Sequence, residues 1–91
     1  MFNIKFKDFK SFVARLERLS ICMKETMQYE NFICLKDVPD TYDEYYVYGI
    51  GSIESEFYQI SKYEYSANRD DGELVLLPCI EIVLSEKARE L

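Results

Sequence analysis

Cys22, Cys34 and Cys79 are the thiols of this chain, and none of its 91 residues is a histidine. Thiol or hydroxyl catalysis near neutral pH ordinarily takes its proton acceptor from histidine, so the familiar triads have no base here. Zinc sites that mix cysteine with histidine are excluded on the same ground, and a four-cysteine site would need a second chain. Each cysteine has an aliphatic neighbour, Ile21, Ile33 and Leu35, or Ile80. The three therefore read as small buried hydrophobes kept reduced, which places the protein in the cytoplasm.

Carboxylates are the other groups with chemistry to offer. Asp43 with Glu44, and Glu54 with Glu56, have the spacing of an acid and base pair for hydrolysis. That chemistry needs an apolar pocket to raise one of the two pKa values, and the flanking residues supply none, so both pairs read as solvated surface. Gly49-Ile50-Gly51-Ser52 begins like a dinucleotide fingerprint, but the position of the third glycine is Glu54, whose charge would repel a pyrophosphate. The glycines are expected to mark a β-bulge or the end of a hairpin instead. No catalytic residue, cofactor or metal is assigned, and the protein is expected not to be an enzyme.

What remains is a surface. Seven of the eight tyrosines fall between Tyr42 and Tyr65, and Asp37 to Glu73 holds ten carboxylates against Lys62 and Arg69. Residues 1–36 carry a net +3 and residues 37–91 a net −9. Such a field disfavours direct contact with nucleic acid and favours a basic protein partner, although excess acid also serves solubility alone. Tyrosine adds an amphipathic ring that loses little rotamer entropy on binding. The partner-binding set expected from this segment is Asp40, Asp43, Glu44, Tyr45, Glu54, Glu56, Tyr58, Glu64, Asp70 and Asp71. On strands, Glu54 and Glu56 with Asp43 or Glu64 would form a grid of negative charge.

The elements that must position these groups follow from periodicity. Phe2, Ile4 and Phe6 alternate with polar residues, as in a half-buried strand. Asp8 is placed as an N-cap, and Phe9, Phe12, Val13, Leu16, Leu19, Ser20 and Met23 follow helical spacing, with Lys10, Ser11, Arg15, Glu17 and Arg18 opposite. Met27 to Lys36 reads as an inner strand, since Phe32 to Leu35 is apolar on both faces. Tyr45 to Ile50 is the next strand, and Ile53 to Ser66, whose spacing fits either state, is taken as mostly strand. Ala67 to Gly72 is a turn, Glu73 to Leu77 a strand that Pro78 interrupts, and Ile80 to Leu84 its continuation. Ser85 is placed to cap a short terminal helix over residues 86–91.

The fold expected is a single α+β domain over residues 1–91: a small antiparallel β-sheet, one long amphipathic helix packed on one face, and a short C-terminal helix. No apolar run reaches the roughly 18 residues that span a bilayer, and the opening residues do not form a secretory signal, so no membrane contact is expected.

The stretch DVPDTYDEYYVYGIGSIESEFYQISKYEY, with Asp70 and Asp71, resembles the acidic-aromatic faces of small phage-encoded inhibitors that imitate DNA and occupy the nucleic-acid site of a host protein. The likeness covers about a third of the chain and is one of composition, so no residue role carries over. It implies an acidic inhibitor of a basic, nucleic-acid-binding host protein, possessing no enzymatic activity and acting in the host cytoplasm. The opening FNIKFKDFKSFVARLERL is similar to the first strand and helix of a sliding-clamp subdomain over eighteen residues. The alternative from the residues themselves is an immunity-type or structural protein whose tyrosine-rich face forms a homodimer.

Overall fold

The structure is a computed structural model that describes residues 3–13, 16–68 and 72–88. A helix, α1 (Phe6–Phe12), precedes five strands: β1 (Glu17–Met23), β2 (Tyr29–Cys34), β3 (Tyr46–Ser61), β4 (Glu64–Ser66) and β5 (Glu73–Ser85). Single 3-10 turns at Leu35–Asp37 and Asp40–Tyr42 carry the chain from β2 to β3. All five strands join one sheet in the order β2-β1-β5-β3-β4. β1 runs parallel to β5, and the remaining pairings are antiparallel.

The expected long helix is overturned. Its first turns survive as α1, seven residues long, but Glu17–Met23 is a strand and not helix. Leu19, Ile21 and Met23 also satisfy a period of two, and the strand prevails because β5 offers Ile80, Ile82 and Leu84 as their direct partners. Arg18, at φ 55, has left the right-handed helical region altogether. Arg15, placed on the helix's polar face by its spacing, lies outside the described residues.

Other expectations shift with it. Phe6 opens α1 instead of ending a strand, Lys5 makes one isolated bridge to Tyr46, and Phe2 lies outside the described residues. Asp8 sits within the first turn of α1 and not at its cap, where its charge still suits the helix dipole. β2 pairs only with β1, so it is an edge strand, not an inner one. Ser85 lies inside β5 and residues 86–88 are not helical, while 89–91 lie outside the described residues. The sheet is mixed, and strand dominates the fold.

β3 and β5 are its spine, paired at thirteen positions from Tyr46↔Ser85 to Gln59↔Glu73, with a register shift at Tyr48. The shift is the bulge expected beside Gly49, although no hairpin ends there. Pro78 is accommodated within β5 because the parallel ladder with β1 begins only at Leu19↔Ile80. Two residues earlier, a backbone N–H at 78 would have no ladder partner on that side, so its loss costs little. Gly72, at φ 71, turns the chain back into β5, and a Cβ there would lie 2.0 Å from the carbonyl oxygen of Gln59. β4 pairs with β3 on the side away from β5, so β4 and β5 are not hairpin partners.

The two faces of the sheet are buried by different means. On one, Leu19, Ile21, Phe32, Ile82 and Leu84 are covered by Phe6 of α1 and by Val38, with Phe9, Leu16, Tyr42, Tyr45 and Val47 around them. On the other, Ser20, Cys22, Ser55, Phe57 and Cys79 are buried although no helix among the described residues lies over them. The sheet buries that face by curling on itself. Asn31 of β2 reaches Ser55 of β3 across the hollow, donating from Nδ2 to Oγ at 2.9 Å and to the carbonyl oxygen of Glu56 at 2.8 Å. Phe57 fills the space between, fully buried.

Candidate protein-interaction site

The acidic segment divides in two. Asp40, Asp43 and Glu44 lie in and after the second 3-10 turn, directly against α1 and the residue before it. Lys10 Nζ sits 2.5 Å from Asp43 Oδ1 and 3.6 Å from Asp40 Oδ1, and Glu44 takes Lys5 at 2.9 Å and Lys7 at 3.0 Å. Three acids thus face three lysines. The Lys5 and then the Lys7 ammonium hold the Glu44 carboxyl below the usual carboxylate range, and the hydrogen bond to Asp43 raises Lys10. Tyr45 packs against the core, and its carbonyl oxygen accepts from the Phe6 N–H, so it positions α1 instead of meeting a partner.

Glu54, Glu56 and Tyr58 occupy the far half of β3, alternating on the face that α1 covers elsewhere. Among the described residues no cation pairs with Glu54, Glu56 or Glu64. Asp43 is held beside Lys10 and so does not join Glu54 in one grid; Asp70 and Asp71 lie outside the described residues. Glu64 opens the short edge strand β4, opposite Ser61.

Where β2 curls toward β3, a cleft of about 440 Å³ opens, lined by Tyr29, Glu30, Glu56 and Tyr58 together with Asn31, Phe32, Ala67 and Asn68. Its base is fixed by the Asn31 hydrogen bond to the backbone of Glu56. Tyr42 stands near Glu30, and its hydroxyl is raised by burial first and then by this carboxylate. Two carboxylates and two phenol rings therefore border one cleft. Tyr46, Tyr48 and Tyr63 already lie beneath Lys5, Lys24 and Lys62, at 5.8, 4.9 and 5.3 Å from ring centre to Nζ. Among the described residues, Tyr29 and Tyr58 carry no such cation.

Tyr29 and Glu30 were not in the set expected from sequence. They stand outside the acidic segment, and only the curl of the sheet brings them to Glu56. Leu74 and Leu76 were missed as well: they pair directly with Tyr58 and Glu56 and are 57% and 63% exposed. An alternating apolar run in a strand reads as core, and nothing local marks where its covering helix stops.

The thiols are kept protonated. Burial pushes up Cys22 and Cys79, with the Glu81 carboxylate adding to it, and Cys34 donates to Asp37 Oδ2 at 3.0 Å, which raises it too. Among the described residues no three cysteine or acid side chains gather as metal ligands, and no helix is long and apolar enough to cross a membrane. In comparisons with known proteins the chain matches no family model, no curated protein and no solved structure.

Proposed function

We propose that this chain is a non-enzymatic acidic binding protein whose β2–β3 cleft takes lysine or arginine side chains of a basic partner protein. The observation that carries the reading is the cleft itself, which Glu30 and Glu56 line together with Tyr29 and Tyr58, none of them paired with a cation among the described residues. A guanidinium or ammonium entering there would meet carboxylates and the faces of aromatic rings, both of which favour it. Direct nucleic-acid binding is disfavoured by the same charge. The basic partner best suited to an acidic inhibitor is a nucleic-acid-binding site on a host protein, with the acids of β3 standing where phosphates would. That mimicry rests on Glu54, Glu56 and Glu30, because the acids at 40, 43 and 44 are already neutralised.

Affinity capture from host lysate in a salt series, with three baits, tests this. Wild type and D40N/D43N/E44Q should retain the same basic protein, released as ionic strength rises, while E54Q/E56Q should lose it. Capture that ignores salt, or that E54Q/E56Q leaves intact, would sink the reading.

A further inference from the structure

The face that α1 covers is only partly covered. α1 has seven residues and spans ~10 Å, whereas the thirteen residues of β5 run ~43 Å along the same face. Phe6 seals the end that holds Ile82 and Leu84. Toward the other end Pro78, Leu76 and Leu74 follow on that face, exposed and with no helix over them among the described residues, and β3 sets Glu54, Glu56 and Tyr58 directly opposite. In antiparallel pairs, facing Cβ atoms lie about 4.5–5.5 Å apart, so each of these apolar residues stands beside an acid or a phenol. The result is an apolar row flanked by a charged one, continuous through Glu56 and Tyr58 with the cleft.

From this geometry we infer that the bare half of the sheet receives an amphipathic helix of the partner protein, its apolar stripe on Leu74 and Leu76 and its lysine or arginine flank toward Glu54 and Glu56. The inference rests on the acidic-binding reading above and adds to it the partner's apolar contact and form. A helix is what already covers the other half of this face, and its i, i+4 side chains, ~6 Å apart along the axis, match leucines two apart on a strand at ~6.6 Å. Charge selects a foreign helix over a second copy. A two-fold contact through this row would bring the Glu54 and Glu56 carboxylates of both chains together, and among the described residues neither carries an ion pair within its own chain.

Two synthetic leucine–lysine peptides of identical composition test this, one with its leucines on a single helical stripe and one with them scattered around the helix. Binding to the full chain is measured by fluorescence anisotropy at low and moderate salt. The striped peptide should bind about tenfold more tightly, the factor that ~1.4 kcal/mol of apolar burial produces. L74S/L76S should erase that difference while keeping the weaker, salt-sensitive binding, and E54Q/E56Q should lower both. Both substituted pairs are exposed, so the variants are expected to fold, and circular dichroism verifies it. Equal affinity for the two peptides, or a preference that survives L74S/L76S, overturns the helix site and leaves the acidic-binding reading standing. If neither peptide binds, both readings are overturned. Sedimentation that finds a dimer of the chain, dissolved by L74S/L76S, overturns the foreign helix in favour of a second copy.

Discussion

Asn31 Nδ2 donates to Ser55 Oγ at 2.9 Å, joining β2 to β3 although β1 and β5 lie between those strands in the sheet. The bond exists only because the sheet is curled, and it closes the hollow over Phe57. Its second acceptor, the carbonyl oxygen of Glu56, belongs to a residue of the cleft. The curl that buries the hollow is therefore the same feature that sets Tyr29 and Glu30 against Glu56.

Asn31→Ala should cost about 1–3 kcal/mol, because the buried Ser55 hydroxyl and the Glu56 carbonyl lose a donor. Urea unfolding gives the figure. The same substitution should weaken binding of a basic peptide in the cleft even under conditions where the chain remains folded, since Glu56 loses its anchor. If Asn31→Ala lowers stability while leaving the cleft's affinity unchanged, the two are not coupled through this bond.

Phe57 is fully buried on the face that no helix covers among the described residues. Phe57→Ala should cost about 3–5 kcal/mol, much of what holds a domain of this size together. By contrast Leu76→Ala, on the uncovered half of β5 away from Ile82 and Leu84 and 63% exposed, should stay within about 0.5 kcal/mol. Thermal or urea unfolding of the pair compares them directly. Equal costs would mean that the hollow is not a packed core.

How far the sequence revealed this can be judged from particular residues. The β-rich composition of Tyr45 to Ile50 and of Glu73 to Leu84 announced the two spine strands, and Gly72 announced its turn. Glu17–Met23 did not announce itself, because Leu19 and Met23 fit a helix while Leu19, Ile21 and Met23 fit a strand. What decides is a pairing with Ile80, Ile82 and Leu84 some sixty residues away. The acids were legible as charge but not as free charge. Glu44 is neutralised by Lys5, thirty-nine positions earlier, and that proximity is created by the loop docking on α1. Tyr29 joins Tyr58 for a similar reason: the curl is a property of the whole sheet, and no local pattern encodes it.

Gly72 is held at φ 71, and a Cβ would come within 2.0 Å of the Gln59 carbonyl oxygen and 2.9 Å of the Ile60 nitrogen. Both contacts are backbone, which cannot swing aside as a flexible side chain would. Gly72→Ala should therefore exceed the ~1–2 kcal/mol of a left-handed conformation alone and should part the Gln59↔Glu73 end of the ladder. Hydrogen exchange is the discriminating measurement: amides at 57–59 and 73–75 should lose protection ahead of those at 80–84. Uniform loss along β5 would contradict a local clash.

Acid should loosen the seam between α1 and the 3-10 turn. Lys5 and Lys7 hold Glu44 below the usual carboxylate range, and Glu25 is lowered by the Ser85 hydroxyl and then by the Glu86 N–H. A carboxyl with a depressed folded pKa contributes stability that is fully present above its unfolded value, ~4.3, and is lost as pH falls through the folded value. In that window the unfolded chain binds more protons, so protonation favours unfolding. Melting temperature should thus fall as pH drops below about 4.5, and E44Q and E25Q should each flatten the fall while lowering the plateau near neutral pH. At the alkaline end the sign reverses: Lys5 and Lys10 are raised, so their contribution persists through ~10.4 and disappears only above it. A melting profile in which E44Q runs parallel to wild type through the acid range would show that the Glu44 pair contributes nothing to holding the loop on α1.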